Sequence, residues 1–124
     1  MTQTLSPSRP ACQEYMLPIR DALELLSGKW KVLILVSLSF GSKRFKEIQK
    51  DLKGITAKTL SKELKELEVN GLVCRCVHDE IALKVEYGLT PYSYTLEKLI
   101  GELHQWGSTH RQHIFHSEAN PLNP

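Results

Sequence analysis

Lys58, Lys62 and Lys65 recur at helical spacing within ITAKTLSKELKELEVNGLV, and Leu60, Leu64 and Leu67 recur on the other side. At helical periodicity each set falls in an arc of about 60°, and the two arcs lie opposite one another. Ammonium groups on such a ridge can neutralise phosphates and release counterions without needing fixed geometry. The start of the stretch, Thr56, Ala57, Lys58, Thr59 and Ser61, is otherwise small or hydroxyl-bearing. A helix opening on such residues can approach base edges in a major groove. The chemistry these residues offer is the binding of a polyanion.

Charge along the chain agrees. The 124 residues carry a net charge of +2, but residues 28–75 hold eleven Lys and Arg against five Asp and Glu. The flanking segments are both acidic on balance. A lysine face can be mere solvation, and a domain of this kind can serve as a protein–protein interaction module; an apolar or acidic exposed face would favour that alternative. Here the face is basic with hydroxyls, which favours DNA.

Other residues offer less. Three cysteines, Cys12, Cys74 and Cys76, are an odd number in no framework spacing, which points to a reduced cytoplasmic setting. Cys74 and Cys76 are two apart and would share a strand face, where a mutual disulfide would be strained. Cys12 is the candidate redox residue, by its expected place in a polar extension, and a thiol-responsive regulator using Cys12 is a second alternative. His110, His113 and His116 recur every three residues, with only Glu118 nearby to complete a metal set, so a solvated or interface-lining turn is the expectation. No glycine-rich phosphate loop, His-Glu-x-x-His or nucleophile motif occurs, so neither an enzyme nor a cofactor is expected. The longest unbroken apolar run, Val32 to Val36, is far too short to span a bilayer, and no apolar segment resembling a signal peptide opens the chain.

The elements that must position the lysines follow from periodicity. Pro18 is expected in the first turn of a helix carrying Ile19, Ala22, Leu23 and Leu26 and ending near Gly28. KWKVLILVSLSF reads as a buried central helix closed by Gly41. RFKEIQKDL is a short helix with Phe45, Ile48 and Leu52 on one face, and KGI turns into the lysine helix, capped by Thr56. Leu72–His78 and Leu83–Thr90 alternate as a hairpin joined by DEIA, and Thr90-Pro91 opens a final helix from about Tyr92 to Phe115. The fold class is mainly α with a small β-hairpin: a winged helix-turn-helix with an added C-terminal dimerisation helix. The expected divisions are an extension (1–15), the DNA-binding domain (16–91), the dimerisation helix (92–115) and a flexible tail (116–124).

The stretches LPIRDALELLSGKWKVLIL, KRFKEI, GITAKTLSKELKELEVNGLV and KVEYGLTP together resemble the HxlR-type family of bacterial winged-helix transcriptional regulators, relatives of the MarR type. The likeness runs from about Pro18 to Trp106. It implies a homodimer on double-stranded operator DNA, with the helix matching Thr56–Asn70 in the major groove and the wing matching Val77–Val85 against the backbone or minor groove. Two departures stand out. Many family members have a cysteine before the proline that opens the first helix, where this chain has Leu17, so that thiol is not carried over. A proline pair common at the wing tip is replaced by Ala82-Leu83.

The expected DNA-contacting set is Lys58, Thr59, Ser61, Lys62 and Lys65 with the cap Thr56, helped by Arg75 and Lys84 near the wing and by Lys43 and Arg44 before the third helix. The final helix carries Leu96, Leu99, Ile100, Leu103 and Trp106, a stripe too long for so small a core to cover. The first helix adds Met16, Leu17, Ile19 and Leu23. A two-fold interface would bury both, since one patch serves twice. No membrane partner is expected, and the sequence names no effector.

Overall fold

The computed structural model describes residues 9–79, 81 and 84–119. The elements run α1 (Arg9–Leu25), α2 (Lys31–Ser39), α3 (Phe45–Asp51), α4 (Ala57–Val69), β1 (Val73–Asp79), β2 (Lys84–Leu89), a 3-10 helix η1 (Pro91–Leu96) and α5 (Glu97–Ala119). This is a winged helix-turn-helix with a long C-terminal helix.

Ile34, Leu35 and Leu38 of α2 are buried, as its apolar sequence requires, and Ile48, Leu52, Ile55, Leu60, Leu64, Leu67, Leu72 and Val73 close around them. Thr56 caps α4: its Oγ1 accepts from the Thr59 N–H at 3.1 Å. The helix ends at Asn70-Gly71, where Gly71 takes a φ of 76° that a side chain would resist. The Leu72 N–H then donates back to the Leu67 carbonyl at 2.9 Å, and that of Gly71 to Glu68 at 3.0 Å. This reversal satisfies the last helical carbonyls and turns the chain straight into β1.

β1 and β2 pair antiparallel, Val73 opposite Leu89 through Val77 opposite Val85, with the register shifting before Asp79 pairs with Lys84. The expected strand limits shift by a residue, and Leu83, with the Ala82-Leu83 departure at the wing tip, lies outside the described residues. The sequence did not reveal an isolated bridge beside this two-stranded sheet. Lys43 exchanges backbone hydrogen bonds with Tyr87, N–H to carbonyl at 2.9 Å and the reverse at 2.8 Å, tying the loop before α3 to the wing.

Two expectations need correction. Pro18 does not open α1 but lies inside it, and Pro10 stands in the first turn, where a missing N–H costs nothing. Residues 9–15 are therefore helical, and Cys12 sits on α1, half-buried. At the other end, Thr90 and Pro91 cap and open η1, with Thr90 Oγ1 accepting from the Ser93 N–H at 3.3 Å. The α-helix proper begins only at Glu97 and continues through residues 116–119, expected from the sequence to be a tail; residues 120–124 and 1–8 lie outside the described set.

Candidate nucleic-acid interface

Lys58, Ser61, Lys62 and Lys65 all stand exposed on α4, opposite the buried Leu60, Leu64 and Leu67. A shallow depression of about 520 Å³ joins this face to the wing, lined by Lys58, Ser61, Lys62, Lys65, Glu68, Arg75 and Tyr87 among others. The structure thus brings Arg75, ten residues away in sequence from Lys65, onto the lysine ridge. Arg75 reaches it because it lies opposite Tyr87 in the sheet, on the strand face turned toward α4. Tyr87, packed partly against the core, floors the depression, and Glu68 puts one carboxylate among the cations. Neither was in the expected set; the only cue in the sequence was the period-2 alternation that put Tyr87 on one strand face with Val85 and Leu89.

The helix N-terminus reinforces the ridge. Thr56 Oγ1, besides capping, donates to Thr59 Oγ1 at 2.9 Å, which holds the Thr59 hydroxyl at the first turn. Unpaired N–H groups and the helix dipole favour anions at that end.

Other expected contacts are placed differently. Lys43 engages groups of its own chain: it pairs with Asp51 and reaches Ser37 Oγ at 3.3 Å, and Ser37 donates to Asp51 Oδ2 at 2.7 Å. The Lys43 and Ser37 hydrogen bonds hold the Asp51 carboxyl below its ordinary pKa. The charge of Lys43 is thus already offset by Asp51, whose side chain remains exposed. Arg44 is exposed at the N-cap of α3, where Glu47 Oε1 accepts from its backbone N–H at 2.9 Å. Lys84 is exposed at the outer end of the wing, away from the depression.

Behind the ridge lies an arrangement the sequence did not reveal. Lys31 is buried in α2, with Nζ 2.9 Å from Glu63 Oε1 and 3.2 Å from Glu66 Oε1, both carboxylates belonging to α4. Burial alone would lower the Lys31 pKa, but the hydrogen bonds to Glu63 and Glu66 outweigh it and the net direction is upward. No local sequence pattern singles out Lys31, Glu63 or Glu66; only their juxtaposition marks them.

The interface stripe divides. Leu96 and Ile100 are half-buried and pack partly against the core. Leu99, Leu103 and Trp106 are exposed, as are Met16, Leu17, Ile19 and Leu23 on α1. Trp106 stacks on His110 at 4.8 Å. His113 and His116 are exposed too, and no group of three His, Cys, Asp or Glu among the described residues is placed to hold a metal ion. No described helix is long and apolar enough to cross a membrane.

Residues 25–115 match the family described as HxlR-like helix-turn-helix. The chain is 36% identical over 103 residues to the uncharacterized HTH-type transcriptional regulator YtcD of Bacillus subtilis (strain 168), covering 83% of this chain and 82% of that one. The redox regulator HypR in its reduced form superposes with a TM-score of 0.74 at 35% identity, over 78% of this chain and 96% of that one. The reduced form of the transcriptional regulator YodB from B. subtilis gives 0.66 at 39% identity, over 73% and 88%.

Proposed function

This chain belongs to the HxlR-like helix-turn-helix family and is thereby a DNA-binding regulator, and we propose that it acts as a homodimer on a near-palindromic operator, under the control of the Cys12 thiol. The observation that carries the DNA reading is the continuous depression uniting the α4 lysines with Arg75 of the wing. Lysines there hold phosphates and set register, while Thr59 and Ser61, at the leading end of α4, face base edges. An exposed face of ammonium and hydroxyl groups fits a nucleic acid better than an apolar partner.

The dimer reading rests on two projecting helices. α1 packs onto the core through Leu25 at its end, and beyond η1 helix α5 leaves Leu99, Leu103, Trp106, Ile114 and Phe115 exposed. Burying these faces against a second copy would stabilise both and would set two α4 helices about one DNA turn (~34 Å) apart.

Thiol control gains support from the likeness to HypR, described in reduced and oxidised forms, and to YodB, described in reduced, diamide-treated and quinone-bound forms. The absence of a cysteine at Leu17 had argued the other way. With α1 starting at Arg9, however, Cys12 shares a helical face with Met16, Ile19 and Leu23, at spacings of four, three and four. A thiol on that face is positioned to alter how two chains meet.

The test is to select genomic fragments with purified protein, identify the operator by sequencing, and titrate it with and without diamide. Specific, salt-dependent binding that diamide weakens in the wild type but not in Cys12→Ser is the expected result. Unaltered binding under oxidant would remove the thiol reading and leave the DNA reading standing. Failure to enrich any sequence would remove both.

A further inference from the structure

Cys74 and Cys76 project from the wing face opposite Arg75, with their Sγ atoms 3.7 Å apart. Both are free thiols, Cys76 exposed and Cys74 half-buried. Residues i and i+2 of a strand lie ~6.7 Å apart with parallel Cα–Cβ bonds, whereas a disulfide needs Cβ atoms within ~4.5 Å. The backbone therefore keeps the pair from oxidising to each other. One atom bonded to both sulfurs escapes that limit. Two bonds of ~2.3 Å at a tetrahedral angle span ~3.8 Å between sulfurs, which is the separation the two thiols already hold.

We propose that Cys74 and Cys76 form a binding site for a soft, thiophilic centre that takes two cis thiolates, a zinc-group cation or trivalent arsenic. Softness follows from the donors, since thiolates select such centres over hard cations. Geometry supplies the rest. Gly88 lies opposite Cys74; a Cβ there would stand 2.7 Å from Ser42 Oγ and 3.7 Å from the Cys74 sulfur, so the Ser42 hydroxyl packs beside the thiol where a side chain would otherwise stand. His78 and Glu86 share the face and are paired with each other at 2.8 Å. Since no described third ligand is in place, the two thiolates carry the binding, and the remaining positions fall to water or to the ligand's own substituents.

A cation displaces two thiol protons to solvent. An aryl arsenic oxide loses its oxygen as water, the two thiol protons going to that oxygen, and two As–S bonds form while arsenic stays trivalent. Neither route needs an oxidant or reductant. The site is separate from the DNA face and from Cys12, so its occupancy is read without DNA.

The experiment uses the reduced full chain in two arms. In one, cadmium is titrated and thiolate-to-metal charge-transfer absorbance is followed; in the other, phenylarsine oxide is added and the mass of the intact adduct is measured. One equivalent should bind in Cys12→Ser as in the wild type. Cys74→Ser and Cys76→Ser should each lower affinity by at least the roughly tenfold that removal of an outer-shell metal partner alone can cost. Because Cys76 is exposed, Cys76→Ser remains a fair test even if Cys74→Ser perturbs the wing. Saturation in the cadmium arm alone identifies a cation site, in the arsenical arm alone a metalloid site, and in both the shared chemistry. No binding in either arm, binding unchanged in Cys76→Ser, or binding abolished in Cys12→Ser overturns the proposal.

Discussion

The ammonium of Lys31 lies 2.9 Å from one oxygen of Glu63 and 3.3 Å from the other, with both side chains almost wholly shielded from water. This pair fastens the back of α4 to α2, on the side of the helix away from its lysine ridge. The α4 helix is thus positioned by buried leucines and by a charged clamp together.

Lys31→Met should destabilise the protein by about 3–5 kcal/mol, because it leaves Glu63 buried without a counter-charge. Lys31→Met with Glu63→Leu should recover most of that stability, and urea melts of the two variants measure the difference. The pH dependence has a definite sign. A lysine whose folded pKa is raised contributes fully below its ordinary value of 10.5 and loses the contribution as pH rises through the higher folded value. Wild type should therefore lose stability on this account only as pH climbs from 10.5 through the higher folded value, and Lys31→Met should lack that alkaline component.

Alanine at Lys58, Lys62 and Lys65 should weaken binding to all DNA sequences alike and flatten the salt dependence by ~0.9 in log–log slope for each phosphate left without its cation. Lys43→Ala should leave that slope nearly unchanged, since Asp51 already neutralises its ammonium. Equal slope changes from Lys43 and Lys62 would show that the Lys43–Asp51 pair opens on DNA. Fluorescence anisotropy across a salt series distinguishes the two.

Thr56→Ala removes the hydroxyl that accepts from Thr59 N–H, and should cost about 1 kcal/mol of stability. It also frees the Thr59 hydroxyl from its partner. Sequence preference should broaden with little change in salt slope, read by selection from a random DNA pool.

Leu103→Asp or Trp106→Asp should give monomers that bind DNA weakly, as measured by sedimentation and DNA titration. Leu96→Asp should instead unfold the domain, because Leu96 packs against the core. A Trp106→Asp protein that remains dimeric would move the interface elsewhere.

Much of the fold could be read from the chain because its signals are local. The lysine and leucine arcs of α4, the Thr56 cap, the Asn70-Gly71 stop and the hairpin alternation each depend on residues within a turn or two of one another. Dihedral preference, capping and periodic burial act over that range, so the helix-turn-helix, the wing and the exposed lysine face followed from sequence alone. Pro18 misled because the same residue suits a first turn and is tolerated within a helix already begun at Arg9. What tertiary structure decided was which charges face outward. Lys31, Lys43 and Lys62 are alike in sequence, yet Glu63 takes the first into the interior, Asp51 neutralises the second, and only the third is left exposed on the α4 ridge. Each pairing joins residues on different elements, and the energy that selects it exists only once those elements have packed.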